Sequence, residues 1–149
     1  MTTMASHIAT RLQADATVTS ICADRVFGHD IRLDGPNAPD VEDANGFLEP
    51  HIIVDDVGGL RPPLGPTSAY QDRVSVYLVA ESDATGRAAI ETLATRCMAL
   101  LHRWQEPTTK AVISYADRPG YIADPPPGTG AIFVLTFAVA GIYAGLTTS

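Results

Sequence analysis

The stretch YQDRVSVYLVAESDATGRAAIETLATRCMALLHRW, Tyr70 to Trp104, decides how the chain folds, because its apolar period changes partway along. From Arg73, the residues Val74, Val76, Leu78 and Ala80 alternate with Arg73, Ser75, Tyr77 and Val79. That period of two predicts a half-buried strand. After Glu81 the period lengthens. Ser82 and Asp83 are N-cap residues in type, since a short side-chain oxygen accepts a hydrogen bond from a free amide of a helix's first turn. Ile90, Leu93, Ala94, Cys97, Leu101 and Trp104 then recur at steps of three and four and form one apolar stripe. Arg87, Glu91, Thr95 and Arg103 occupy the opposite side. A helix of roughly 20 residues is about 30 Å long, enough to cross a small sheet.

Outward from this pair, the elements alternate with loops. Ser6 to Gln13 predicts a short amphipathic helix with Ser6 as a candidate cap, and Asp15 opens a second one carrying Val18, Ile21 and Cys22. Arg25 to Arg32 has β-branched and aromatic residues around Gly28, the pattern of an edge strand with a bulge. Pro50 to Val57 predicts another strand, Lys110 to Ala116 a further one, and Ala131 to Ala144 a last strand that is apolar on both faces. Long loops are expected at about 33–49, 58–69 and 117–130, each rich in Pro, Gly or Asp. The expected fold class is therefore α+β: a mainly antiparallel sheet of four to five strands packed on one long helix, with short N-terminal helices, in a single domain of residues 1–149.

Charge and cysteine content narrow the functions available. The net charge is −7, and it is concentrated: between Asp15 and Asp56 there are ten acidic residues and two arginines, a local net of −8. Such a segment repels phosphate and argues against tight nucleic-acid binding. Cys22 and Cys97 lie 75 positions apart, which fits neither a disulfide framework nor a zinc pattern. The start MTTMASHIATRLQ carries no basic-then-apolar leader, so no secretory signal is expected, and the 14-residue apolar run Ala131 to Ala144 is too short to span a bilayer as a helix.

A search for chemistry returns little. His7, His29, His51 and His102 have no metal-ligand spacing. Asp55 and Asp56 are adjacent on a strand and so face opposite sides, which prevents them from sharing one acid/base or magnesium site. Pro127-Gly128-Thr129-Gly130 lacks the lysine of a phosphate loop, and no serine sits in a Gly-x-Ser-x-Gly elbow. Arg61 to Pro66 reads either as a stiff loop or as a polyproline docking arm. No catalytic, metal or cofactor site is expected.

Three stretches carry a family resemblance: HIATRLQADATVTSICADRVFGHDIR, EPHIIVDDVGG, and QDRVSVYLVAESDATGRAAIETLATRCMALL, together about half of the chain. In them the sequence resembles the tail terminator (tail completion) proteins of long-tailed bacteriophages. The resemblance implies a non-enzymatic virion protein, assembled in the host cytoplasm and located in the tail or neck. It implies protomers that close into a ring, a hexamer, at the head-proximal end of the tail tube, with the tail tube protein on one side and a head-side connector or stopper on the other. DNA would pass through the lumen without specific binding, and no membrane is involved. Departures from the family pattern are the acidic insertion Leu33 to Glu49 and the proline-rich segments near Pro62 and Pro125. A head-to-tail ring requires two complementary surfaces on each protomer, and the candidate interface residues are Asp55, Asp56, Arg61, Arg73, Tyr77, Arg87 and Arg103. The alternatives are a head-tail connector or stopper of the phage neck, and a soluble binding domain of unrecognised type.

Overall fold

The expected helix caps at Asp15 and Asp83 are both present in the computed structural model, which describes residues 4–28, 41–56, 69–108, 110–116, 119–123, 125 and 130–142. The expected strand positions 29–32, the loop positions 58–68 with Arg61, and parts of the loops 33–49 and 117–130 lie outside these residues. In chain order the elements are α1 (Met4–Gln13), α2 (Ala16–Cys22), β1 (Val26–Gly28), β2 (His51–Asp56), β3 (Ala69–Ala80), α3 (Ala84–Leu101), β4 (Trp104–Gln105), β5 (Val112–Tyr115), β6 (Gly120–Tyr121) and β7 (Ala131–Ile142).

Helix α1 buries Met4, Ala5, Ile8, Ala9 and Leu12, the three-and-four spacing of one helical face. It begins at Met4, so Ser6 lies inside the helix and is not its cap; the Ser6 carbonyl instead accepts a hydrogen bond from the Thr10 hydroxyl at 2.9 Å. Asp15 caps α2, its carboxylate accepting from the Val18 amide at 3.1 Å. Asp83 caps α3, accepting from the Gly86 amide at 2.7 Å. Ile90, Leu93, Cys97 and Leu101 of α3 are fully buried.

Trp104 departs from expectation. The helix stops at Leu101 with His102 as its C-cap, and Arg103 adopts a left-handed backbone (φ 64°) that reverses the chain. Trp104 is then in strand β4, pairing with Ile113 of β5 while still packing against the core. The helical period continues to Trp104 by coincidence. The hairpin bonds decide the outcome: the Arg103 amide donates to the Ile113 carbonyl at 2.7 Å and the Glu106 amide to the Ala111 carbonyl at 2.8 Å.

Among the described residues the sheet has seven strands, not four to five. Six run in the order β1-β2-β3-β7-β5-β4, and β6 pairs with β7 beyond the stretch that β5 occupies. All pairs are antiparallel except β1 with β2. A parallel pair needs a crossover of about a dozen residues or more, and the 22 positions from 29 to 50 supply it. Part of the long loop thus has a topological cause.

The alternation along β3 holds. Val74, Val76, Leu78 and Ala80 join Ile52 and Val54 of β2 and Leu135, Phe137 and Val139 of β7 in the core beneath the helices. One long helix does not cover this face alone. α3 lies over β3, β7 and β5, whereas α1 lies over β1 and β2. Gly28 explains the second contact: a Cβ there would sit 3.1 Å from the Ala9 Cβ and 3.2 Å from the Ala5 carbonyl oxygen, so the glycine lets α1 approach the sheet closely. Close approach, and not a bulge, accounts for it. At the opposite edge the Arg11 guanidinium of α1 stacks 4.7 Å over the Trp104 ring of β4. Helix α1 therefore touches both edge strands, which requires the sheet to curl. No helix among the described residues is long and apolar enough to cross a membrane.

Candidate functional site

The register brings some of the candidate interface residues together and separates others. On the sheet face away from the helices, Asp55 lies opposite Ser75, Tyr77 lies between Ile53 and Val134, and Arg73 lies opposite Ala138. Asp55, Arg73 and Tyr77 thus share one face and are all half-buried. Asp56 is paired through its backbone with Val74, and Arg61 is outside the described residues. Toward one end the same face is closed. His51, Ile53, Val79 and Ile132 are buried there, and the His51 Nδ1–H donates to the Glu49 carbonyl at 2.8 Å. Burial pushes the His51 pKa down and keeps the ring neutral near pH 7.

Arg87 and Arg103 stand elsewhere. Arg87, exposed on the first turn of α3, places its guanidinium 4.7 Å over the Tyr121 ring, and Tyr121 meets Phe133 edge-on at 5.1 Å. This stacking fixes strand β6 to α3. Arg103 is exposed at the reversal after α3, next to Trp104.

Between α1 and the C-terminal end of α3 there is an open cleft of about 340 Å³. Its floor is Trp104 and Leu100, and its walls are Thr10, Arg11, Ala14 and Pro107, with His7 and Asp15 at the ends. The Arg11 Nε–H donates to the Leu100 carbonyl at 2.8 Å, so the cation satisfies one of the last open carbonyls of α3 while stacking on Trp104. At one end His7 Nδ1 is 3.4 Å from the carboxylate of Glu106, which is buried. At the other end Arg96 grips Asp15 through Nε at 3.1 Å to both carboxylate oxygens and through its terminal nitrogen at 2.6 Å. The Arg96 hydrogen bonds hold the Asp15 carboxyl below its usual range. The arrangement offers an aromatic floor, a stacked cation and polar ends already paired within the molecule.

A third feature was not legible as structure in the sequence, where residues 33–49 read as loop. Positions 41–49 form a small hairpin closed by a bridge between Glu42 and Leu48 and by the Glu49 amide donating to the Val41 carbonyl at 2.9 Å. Asp43 organises its tip. Its carboxylate accepts from the Asn45 amide at 2.8 Å and the Phe47 amide at 3.0 Å, and its own amide donates to the Phe47 carbonyl at 2.8 Å. Gly46 takes the left-handed conformation (φ 82°) that the turn requires. The hairpin is tied to the sheet by the Leu48 amide donating to the Glu81 carboxylate at 2.8 Å, and Arg25 pairs with Glu49 at 3.2 Å. Phe47, at the tip, is 55% exposed, the highest value among the described large apolar residues. The signal that was available is Asp43-Ala-Asn-Gly46 between Val41 and Phe47, a turn pattern with apolar flanks.

Neither cysteine is chemically available. Burial pushes both thiols up to about 12, Cys22 and Cys97 alike. Among the described residues no group of three or more His, Cys, Asp and Glu side chains is placed to hold a metal ion.

No protein-family model matches this chain, and no curated protein matches it. A solved structure does. A chain in the virion of a native gene transfer agent particle superposes with a TM-score of 0.64 at 12% sequence identity, covering 93% of this chain and 93% of that one. At that identity the likeness establishes a shared fold.

Proposed function

We propose that this chain is a structural protein of a phage-like virion, a tail terminator whose single-domain protomers close into a ring at the head-proximal end of the tail tube, ending tube growth and joining tail to neck. The observation that carries the proposal is the shared fold with a chain of a gene transfer agent virion over 93% of both chains, with neither chain left with a large unmatched part. The three tail-terminator-like stretches support the finer assignment. They fall on α1 through β1, on β2, and on β3 with α3, which form most of the helix-covered core.

In this role the protein has no reaction to perform. Asp55, Arg73 and Tyr77 on the sheet face, with Asp56 and Arg61 nearby in sequence, and Arg87 and Arg103 on the helix side, are the proposed contacts to neighbouring protomers or to the tube. The acidic segment Asp15 to Asp56, with its local net of −8, would keep DNA from adhering if it lined the lumen. A ring with that segment wholly on its outer wall would exclude this part of the reading.

The test is deletion of the gene followed by electron microscopy of the tails. Overlong tails support termination. Normal-length tails that fail to join heads move the assignment to a head-side connector or stopper, and unaffected particles remove the virion role.

A further inference from the structure

We infer that the Phe47 hairpin of one protomer inserts into the α1–α3 cleft of a second copy of this chain, making the head-to-tail contact of the ring; the inference rests on the ring reading above. Two surfaces of one protomer fit each other in shape, polarity and charge. The hairpin is a preformed knob: its tip is held by four hydrogen bonds that involve Asp43 and by the Glu42–Leu48 bridge, so presenting Phe47 costs little ordering on association. A phenyl ring left 55% exposed on such a rigid tip is the feature expected of an interface anchor.

The cleft is the matching hole. A cavity of about 150 Å³ suffices to hold a benzene ring, so a cleft of about 340 Å³ accepts a phenyl group with its backbone approach. Trp104 and Leu100 supply the apolar floor, and Arg11 stacks on Trp104 at the wall. The charges agree in sign. Glu42 and Asp43 are exposed beside Phe47, while Arg11 lines the cleft, Asp15 in the same lining is neutralised by Arg96, and the exposed Arg103 adjoins Trp104 in sequence. Such charges set orientation and encounter rate more than affinity.

The two surfaces cannot meet within one molecule. The hairpin is tied to Glu81, just before the N-terminus of α3, and the cleft lies at the C-terminus of that helix. The 18 residues of α3 separate them by about 27 Å. A knob and a hole at opposite ends of a protomer make a heterologous contact, the kind that propagates head to tail and closes into a ring when the rotation permits.

Two variants with opposite defects test this. Phe47→Ala removes the knob and keeps the cleft, whereas Thr10→Trp fills the cleft from an exposed helix position and keeps the knob. Neither replaces a buried side chain, and circular dichroism with urea unfolding checks that both fold. Sedimentation velocity of the full-length protein is expected to show each variant alone associating about ten- to a hundredfold more weakly than the parent. Mixed in equal amounts, they are expected to form a dimer that grows no further, because only one competent knob and one competent hole remain per pair. Parent-like assembly by either variant, or a mixture that stays monomeric, overturns the contact. A parent ring unaffected by both substitutions overturns the contact and leaves the ring reading intact. Where the parent forms rings only on tail tubes, the same two variants are compared there, and parent-like rings from either one overturn the contact; a parent that is monomeric in both settings overturns both readings.

Discussion

Replacing Gly86 by alanine should destabilise this protein, although the same change in most helices is favourable. Glycine inside a helix costs about 0.5–1 kcal/mol relative to alanine through lost backbone entropy. Here the added methyl would lie well inside contact with the carbonyl oxygen of Glu81, 2.9 Å from its carbonyl carbon and 3.1 Å from its amide nitrogen. Those atoms are backbone, and they are held. The Glu81 carbonyl accepts from the Asp83 amide at 2.9 Å, and the Glu81 carboxylate accepts from the Leu48 amide at 2.8 Å. Relief requires the 81–83 turn to swing away, which stretches the Asp83 cap on the Gly86 amide, now 2.7 Å. Overpacking costs about 1–3 kcal/mol and a lost cap about 1 kcal/mol. Set against the propensity gain, the net is a destabilisation of about 2 kcal/mol, or a fall in Tm of about 4–8 °C for a chain of this size. Thermal and urea unfolding of Gly86→Ala beside Gly120→Ala measures it. A Cβ at Gly120 meets nothing within 4 Å, so that control should be neutral or gain about 0.4–1 kcal/mol. A Gly86→Ala protein as stable as the parent, or more so, would refute the reasoning.

Other consequences are open to equally direct measurement. Both thiols are pushed up to about 12 by burial, so a thiol reagent at pH 8 should label neither cysteine in the native state and both after unfolding in urea; rapid native labelling would contradict the packing of α2 and α3. The Asp15 carboxyl is held below its ordinary 3.8 by Arg96, so its contribution is present above about pH 4 and is lost as pH falls through the folded value. Arg96→Gln should therefore lower the urea midpoint at pH 6 by an amount that shrinks as the pH is taken down from about 4, and a deficit that does not change with pH would count against the pair. His51 is buried neutral with its pKa lowered, and the unfolded state binds the proton first, so stability should decline as pH drops below about 6.5. His51→Gln should remove that part of the pH dependence. Ile8→Ala on α1 should cost about 2–5 kcal/mol because Ile8 is fully buried; a cost below about 1 kcal/mol would mean that α1 does not share the core with α3.

Much of the fold was legible in residues 70–104 because the relevant forces act between near neighbours. The alternation at Val74, Val76 and Leu78, the stripe at Ile90, Leu93, Cys97 and Leu101, and the carboxylate caps at Asp15 and Asp83 each depend on spacing of four residues or fewer, and each is in place. The two-sided apolar strand at Ala131 also declared itself, and it lies inside the sheet between β3 and β5. The candidate interface was less legible. Charge pattern alone drew attention to Arg73, Arg87 and Arg103, yet only strand register shows that Arg73 shares a face with Asp55 and Tyr77, and only the packing of β6 shows that Arg87 stacks on Tyr121.

By itself, then, the sequence determined the class of element at most positions and the starts of α2 and α3. The tertiary structure decided what depends on partners far along the chain. It set the parallel pairing of β1 with β2, the contact of α1 with both edges of a curled sheet, and the departure of Trp104 from its helix to pair with Ile113. It also separated two adjacent residues that hydropathy cannot distinguish: Leu48 is tied to the sheet through Glu81, and Phe47 is left exposed. Local propensity is a property of a few residues, whereas exposure is set by whatever the rest of the chain lays against them.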